Sequence, residues 1–269
     1  MNRAAIIAVF ICLHYGVFAQ KQNHAQVNGV EIYYEIYGKG DPLVLLHSFT
    51  SSHKLWEPFI ERLSKNHKLI VPDLRGHGKS TNPENVFTHS TSAKDIYGLM
   101  DALEIKKFKA IGASSGGMTL IHMATMDSTR IEAMILVGAT SRFGVPCREI
   151  MRNSTFETVP EDWMLDMRNH QPGGDEQIKK LLQQFNGMQH SYDDMNFTAP
   201  YLSQIKCPTL IVHGELDEFF PLEIPFEMSR AIPKSSLWII PNGGHLPIWD
   251  ERWADTFLKT AESFLKGEL

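Results

Sequence analysis

The chain has 269 residues, of which 43% are hydrophobic and 21% are charged, a balance typical of a folded globular protein and not of a disordered one. Its 26 Lys and Arg residues against 31 Asp and Glu residues give a formal net charge of -5. Such a balance offers no basic surface for a nucleic acid, so a nucleic-acid partner is excluded from the leading functions. Three cysteines are too few for a disulfide scaffold, and the length suffices to bury a large core without one.

The beginning of the chain has the features of a secretory signal peptide. Arg3 supplies a positive charge, residues 4–13 are continuously apolar, and Ala19 ends a stretch suited to signal-peptidase cleavage. The apolar run is short for a transmembrane helix, which needs about 20 residues. We therefore predict that residues 1–19 are a signal, that the protein is secreted or periplasmic, and that no stable membrane association follows cleavage. The alternatives are an uncleaved anchor, an apolar first strand and a lipid attached at Cys12.

The next elements in the chain are predicted strands. Residues 25–37 form two extended runs on either side of Asn28-Gly29, a strong signal for an antiparallel β-hairpin. Short apolar runs follow, several of them β-branched and all bounded by glycine, proline or polar residues. They predict buried parallel strands at 42–47, 68–72, 108–112, 133–137, 209–213 and 237–240. Helical periods lie between most of these strands, at 53–63, 92–103, 117–126 and 249–265.

This alternation predicts an α/β fold with a mostly parallel eight-stranded sheet and helices on both faces. From residue 142 to residue 206 the strand pattern stops, and Met, aromatic, Gln and charged residues recur at helical spacing. We predict that residues 142–206 form a helical cap inserted into a core domain of residues 20–141 and 207–269. Seven apolar cap residues are candidates for a substrate pocket, with half or more expected to be cap core: Trp163, Met164, Met167, Phe185, Met188, Tyr192 and Phe197.

A Gly-x-Ser-x-Gly turn connects the fifth predicted strand to a helix. It reads Gly112-Ala113-Ser114-Ser115-Gly116. Side chains at either glycine would collide with neighbouring backbone, while the Ser114 hydroxyl is pushed out above the sheet beside a helix N-terminus. Such a setting suits a nucleophile. A register shifted to Ser115 and a phosphate-binding turn are the alternatives, although the lysine of a phosphate loop is missing.

A serine hydroxyl is a weak nucleophile until a base takes its proton, so a histidine oriented by a carboxylate should lie at the same sheet edge. Asp217 follows the next-to-last predicted strand, and His245 follows the last. The chain order Ser, Asp, His is the one found where a Gly-x-Ser-x-Gly turn carries the nucleophile. Glu215 and Glu218 flank Asp217 as alternative acids.

With these residues the chain resembles the α/β-hydrolases, in particular serine esterases and lactonases such as 3-oxoadipate enol-lactonase, over nearly all of its length after the predicted signal. Besides the serine turn and the two later loops, two strand-end segments carry the resemblance. They are His47-Ser48-Phe49 and Asp73-Leu74-Arg75-Gly76-His77-Gly78-Lys79-Ser80.

The resemblance implies a set of site residues. Ser114 is the nucleophile, His245 is the general base and then the acid, and Asp217 fixes the histidine tautomer. The backbone N–H groups of Phe49 and Ser115 hold the oxyanion. The implied activity is hydrolysis of a small ester or lactone through an acyl-enzyme, without a metal or an organic cofactor. A thioester, an amide, a carbon–carbon bond, or a ligand-binding receptor on the same fold are the alternatives.

Some features stay open at the level of sequence. The family usually has glycine at the position of Ser48, so this side chain is either neutral, narrows the acyl pocket or adds a hydroxyl donor. Pairing of Cys147 with Cys207 and formation of a homo-oligomer are likewise undecided. His47 and His213 end apolar strands, and we expect them to be hydrogen-bonded core residues rather than metal ligands.

Overall fold

The structure is a computed structural model that describes residues 21–269; the predicted signal peptide, residues 1–19, lies outside the described residues. The strands are β1 Lys21–Val27, β2 Val30–Tyr37, β3 Asp41–Leu46, β4 His67–Pro72, β5 Phe108–Ala113, β6 Ile131–Val137, β7 Thr209–Gly214 and β8 Ser235–Ile240. The α-helices are α1 Glu57–Leu63, α2 His89–Ala102, α3 Ser115–Met126, α4 Val145–Asn153, α5 Glu161–His170, α6 Gly174–Gly187, α7 Ala199–Leu202, α8 Glu223–Ala231 and α9 Glu251–Leu265. Short 3₁₀ turns lie at His53–Trp56, Met188–His190 and Pro247–Trp249.

The strands form one eight-stranded sheet in the order β1-β2-β4-β3-β5-β6-β7-β8. β2 pairs antiparallel with β1 and β4, and the remaining pairs are parallel. The predicted hairpin is confirmed, because Asn28 and Gly29 have φ values of 47° and 79°, as a tight two-residue turn requires. The mostly parallel α/β sheet predicted from the sequence is confirmed as well.

Each predicted parallel strand is present, with its ends within two residues of the prediction. The predicted helix at 53–63 begins as a 3₁₀ turn and becomes α1 at Glu57, and α2 begins at His89 rather than at residue 92. The Thr88 side chain accepts a hydrogen bond from the backbone N–H of Thr91, and the Thr91 side chain bonds back to Thr88. This capping box starts the helix within a run of Ser and Thr whose low helix propensity suggests a loop.

The helices cover both faces of the sheet. Alternate residues of β3 face opposite sides, so Val44 and Leu46 join one apolar cluster with α2, α3 and α8, whereas Leu43 and Leu45 join a second with α1 and α9. This double covering explains why the parallel strands are apolar throughout rather than alternating.

Between β6 and β7, residues 142–206 contain α4 to α7, and we call this segment the helical insertion. It has a small core of its own, formed by Met164, Met167, Ile178 and Leu182, while other apolar side chains join the cluster under the sheet. The division into a core and a cap stays a prediction. Cys147 and Cys207 are both buried and unpaired. Within residues 21–269 no helix combines the length and apolarity needed to cross a membrane.

Candidate active site

The turn between β5 and α3 holds Ser114 in a backbone conformation that L-residues rarely adopt. Its φ is 48° and its ψ is -113°, which a non-glycine residue keeps only where the surrounding structure enforces it. A Cβ on Gly116 would lie 2.2 Å from the carbonyl oxygen of Leu46, and a Cβ on Gly112 would lie 2.5 Å from the carbonyl carbon of Gly116. The predicted need for glycine at both positions is therefore confirmed.

Ser114 begins a continuous hydrogen-bond chain. Its Oγ lies 2.9 Å from Nε2 of His245, and Nδ1 of the same ring lies 2.9 Å from Oδ2 of Asp217. We call these three residues the Ser114 chain. Their loops follow β5, β8 and β7, whose carboxyl ends meet at one edge of the parallel sheet. The structure thus brings the three sequence-predicted side chains together.

Asp217 is fixed by several donors. Its side chain is fully buried, and Oδ1 accepts backbone N–H groups of Phe219 at 2.8 Å and Phe220 at 3.0 Å. Burial raises the pKa of this carboxyl, but the hydrogen bond and charge of His245, with the nearby His213, outweigh burial and leave the pKa below its ordinary value. The carboxylate is therefore ionised at neutral pH and orients the His245 ring.

Two histidines expected to be core residues are buried and hydrogen-bonded, as predicted. His47 accepts the backbone N–H of Leu74 at Nε2, 2.9 Å away, and donates from Nδ1 to the carbonyl of Ser48 at 2.7 Å. His213 bonds the carbonyl of Phe220 at 2.8 Å. Burial lowers the pKa of His47 to about 3 and also lowers the pKa of His213, so both rings are neutral at pH 7.

The candidate oxyanion donors line the same cavity as Ser114 and His245. Ser115 is the first residue of α3, where backbone N–H groups have no acceptor inside the helix. Within residues 21–269 the backbone N–H of Phe49 donates to no other protein group. Ser48 is also on the cavity wall and is buried. Two free backbone donors are thus available beside the serine hydroxyl.

A second chain of the same residue types starts at the neighbouring serine. Oγ of Ser115 lies 3.0 Å from Nε2 of His89, and Nδ1 of His89 lies 2.6 Å from Oδ2 of Asp194. We call these three residues the Ser115 chain. No local pattern in the sequence marks His89 or Asp194, because the bond between them joins positions 105 residues apart. The Thr88 cap is the one sequence signal that could have placed His89 at a helix start.

The cavity above Ser114 has a volume of about 400 Å³ and a mostly apolar wall. The helical insertion supplies much of this wall, namely Phe143, Cys147, Met151, Trp163, Asp166, Phe185 and Met188. Of the seven candidates from the sequence, Trp163, Phe185 and Met188 line it, Met164 and Met167 lie in the core of the insertion, and Tyr192 is exposed. Phe219, whose ring lies 4.4 Å from that of His245, was not foreseen.

Comparisons with known proteins agree with this geometry. A family model described as the alpha/beta hydrolase fold matches residues 41–173. Human serine hydrolase BPHL is 31% identical over 268 residues, covering 89% of this chain and 84% of BPHL. The 2-hydroxy-6-oxo-6-(2'-aminophenyl)hexa-2,4-dienoic acid hydrolase of Metapseudomonas resinovorans is 24% identical over 250 residues, covering 84% of this chain and 85% of that protein.

Among solved structures, the enol-lactonase from Burkholderia xenovorans superimposes with a TM-score of 0.75 at 26% identity, covering 91% of this chain and 100% of the lactonase. The sheet order, the strained serine turn and these similarities lead to one assignment. The chain belongs to the α/β-hydrolase fold family.

Proposed function

We propose that the protein is a serine hydrolase that cleaves a small carboxylic ester or lactone through an acyl-enzyme intermediate. The observation that carries the proposal is the unbroken Ser114 chain, with both of its hydrogen bonds at 2.9 Å, at the wall of an apolar cavity. Similarity to a serine hydrolase and to an enol-lactonase supports the same reaction class. The substrate is a small molecule that fits a cavity of about 400 Å³.

In the first half of the reaction, Nε2 of His245 accepts the Ser114 proton while Oγ attacks the carbonyl carbon of the substrate. Asp217 holds the proton on Nδ1, which leaves Nε2 free as the base, and its negative charge stabilises the imidazolium that forms. The carbonyl oxygen becomes an oxyanion, which the backbone N–H groups of Phe49 and Ser115 stabilise. Collapse of this intermediate expels the alcohol, which takes the proton from His245.

In the second half, a water molecule gives its proton to Nε2 of His245 and attacks the acyl carbon. The same backbone donors hold the second oxyanion. Its collapse releases the acid, and Ser114 Oγ takes the proton back from His245 as it leaves, which restores the serine hydroxyl. For a lactone, alcohol and acid belong to one molecule, so the product is a hydroxy acid. Neither half of the reaction needs a reactant other than the substrate and water.

The charge of the cavity wall favours a neutral ester or lactone over an anionic carbon–carbon substrate. The relative from Metapseudomonas resinovorans is named for a dienoic acid, which carries a carboxylate at neutral pH. Among the described residues that line the cavity none is Lys or Arg, and two, Asp166 and Glu218, are acidic. A bound carboxylate would be unpaired there, and burying an unpaired charge is costly.

Active-site labelling with a fluorophosphonate tests the proposal. We expect the wild-type protein to be labelled at Ser114 and to hydrolyse p-nitrophenyl esters, and we expect Ser114→Ala to lose labelling and about 10⁶-fold in kcat. Ser203→Ala, remote from the cavity, is the matched control and should retain both. An unlabelled wild type that turns over no ester would contradict the proposal.

The bond type needs a second measurement. Rates on p-nitrophenyl esters of rising acyl length are compared with rates on lactones, thioesters and a dienoic-acid carbon–carbon substrate. Preference for esters or lactones is expected. A rate on the carbon–carbon substrate that exceeds all ester rates would replace the ester assignment, whereas tight binding without turnover of any substrate would favour a receptor.

We further propose that the protein is exported, with the signal at residues 1–19 removed before Gln20. The charged start, the apolar run and the small residues before Gln20 support this. N-terminal sequencing of protein recovered outside the cytoplasm should begin near Gln20. An intact Met1 on the exported protein would contradict cleavage.

A further inference from the structure

The Ser115 chain lies directly beside the proposed nucleophile and takes no part in the mechanism described above. It is built from buried groups: the His89 side chain is 0% exposed and that of Asp194 is 7% exposed. Both of its hydrogen bonds are short enough to be well formed, at 2.6 Å and 3.0 Å. A buried, fully connected arrangement of this kind restrains each of its members.

Asp194 is anchored more firmly than a single histidine requires. Its carboxylate also accepts the backbone N–H groups of His89 at 2.9 Å and Ser90 at 3.1 Å, at the first turn of α2. His122 of α3 donates from Nε2 to the backbone carbonyl oxygen of Asp194 at 2.6 Å. Burial raises the pKa of the carboxyl, but the His89 charge and the bonds from His122 and His89 outweigh it and leave the pKa below its ordinary value. The ionised carboxylate therefore holds Nδ1–H of His89.

We infer that His89 and Asp194 are positioning residues for the oxyanion hole, acting through Ser115. This inference rests on the proposed function, in which the backbone N–H of Ser115 stabilises the oxyanion. The hydrogen bond to Oγ fixes the side chain of the residue whose N–H must point at the developing charge. Oxyanion donors act only within a narrow range of distance, so a small displacement of this residue weakens them in the transition state.

The same chain connects the helical insertion to the catalytic turn. Asp194 belongs to the insertion, whereas Ser115 belongs to α3 of the sheet domain. The His89 ring also lies 5.9 Å from the ring of Phe143, an insertion residue on the cavity wall. The insertion thus positions the backbone N–H of Ser115 as well as shaping the cavity, and it positions this donor through Asp194.

A double-mutant cycle on Ser115→Ala and Asp194→Asn tests the inference. Ser115→Ala retains the backbone N–H and removes only the tether, while Asp194→Asn keeps the side-chain shape. We expect each to lower kcat about tenfold with little change in KM, a smaller loss than the 10²–10³-fold typical of removing an oxyanion donor outright. Because the residues act in series, the double variant should be no slower than the slower single variant.

A second readout separates positioning from general damage to the fold. The affinity for a trifluoromethyl ketone, which forms an oxyanion on the enzyme, should fall by the same factor as kcat/KM, and the affinity for the carboxylic acid product should not. His89→Gln, whose amide can still bond Ser115, should recover part of the rate lost in His89→Ala. Asp193→Asn, on the exposed neighbour of Asp194, is the matched control and should behave as wild type.

The outcomes distinguish this inference from the proposed function. An active wild type whose Ser115→Ala and Asp194→Asn losses multiply in the double variant overturns the positioning role alone. The positioning role is also overturned if the variants lose thermal stability, or show a raised KM, without a fall in kcat. If Asp194→Asn fails to fold, Ser115→Ala and His89→Gln decide by the ketone affinity. A wild type that hydrolyses no ester overturns the proposed function and this inference together.

Discussion

Two consecutive serines at the start of α3 each bond a histidine whose other ring nitrogen bonds a buried aspartate. The Ser114 chain and the Ser115 chain therefore have the same residue types and similar distances. They differ in backbone and in exposure. Ser114 has a φ of 48° and precedes the helix, whereas Ser115 is its first helical residue. The His245 side chain is 14% exposed and the His89 side chain is 0% exposed.

These differences matter for chemistry, because a general base must reach both the substrate and a water molecule during turnover. His245 lines the cavity together with Ser114, while His89 is fully buried and its ring contacts those of Phe87 and Phe143. The strained turn presents Ser114 to the cavity, as a nucleophile requires. A Ser-His-Asp chain alone does not distinguish the two serines, whereas the backbone and the accessibility of the histidine favour Ser114 as the proposed nucleophile.

The two aspartates give the largest expected contrast. Asn at position 217 can still accept the N–H groups of Phe219 and Phe220, but its amide favours the wrong tautomer of His245. We expect Asp217→Asn to lower kcat about 10⁴-fold with a small change in melting temperature, against about tenfold for Asp194→Asn. Steady-state kinetics and thermal melting of both variants check this. Similar losses for both would mean that the two chains share the chemistry.

Both hydrogen-bond chains depend on the tight turn that holds Ser114 and Ser115, and Gly116 is the most crowded residue of this turn. A Cβ there would lie 2.2 Å from the Leu46 carbonyl oxygen, a backbone atom that cannot rotate away. Gly116→Ala should therefore cost at least about 3 kcal/mol of unfolding free energy and abolish activity. Gly187→Ala, at a helical position with nothing within 4 Å, should stabilise by about 0.4–1 kcal/mol. Urea unfolding of the two variants measures both, and a tolerated Gly116→Ala would contradict this geometry.

The sequence predicts the Ser114 chain but not the Ser115 chain, and the reason is physical. Ser114, Asp217 and His245 each follow a buried strand, and strands leave local patterns of apolar residues that end at a loop. The sheet edge then brings the three together without further information. Asp194 lies in the insertion, where no strand ends, and its partner His89 is 105 residues away. Only the packing of the insertion on α2 creates that contact.

The same reasoning accounts for the cavity wall. Trp163 and Met167 are neighbours on α5, yet one lines the cavity and the other lies in the small insertion core. Composition identifies both as apolar, but the rotation of each helix in the folded insertion decides which side faces the cavity. Cys147 and Phe143, which also line it, lie near the start of α4, and apolar composition alone does not select them.

Acid sensitivity offers a smaller, graded contrast between Asp194 and its neighbour. The folded-state pKa of Asp194 lies below the ordinary value of 3.8. Its ionised form therefore contributes its full stabilisation above that value, and the contribution is lost as the pH falls through the lowered pKa. The difference in melting temperature between wild type and Asp194→Asn should be largest at neutral pH and shrink below about pH 4. Asp193→Asn, at the exposed neighbour, is the control measured beside it, and a difference for Asp194→Asn that grows at low pH would contradict the assignment.

The smallest expected effect concerns the other side of the proposed oxyanion hole, where Ser48 precedes Phe49 and lies buried on the cavity wall. Because its side chain occupies space that glycine would leave empty, we expect Ser48→Gly to raise kcat/KM for longer acyl esters relative to acetyl esters by about 5- to 10-fold. Ser48→Ala keeps the Cβ and removes the hydroxyl, so it should retain the wild-type preference. Rates over a series of p-nitrophenyl esters compare the two. A fall in kcat common to both variants would instead identify the Ser48 hydroxyl as a third oxyanion donor. This donor would belong to neither the Ser114 chain nor the Ser115 chain.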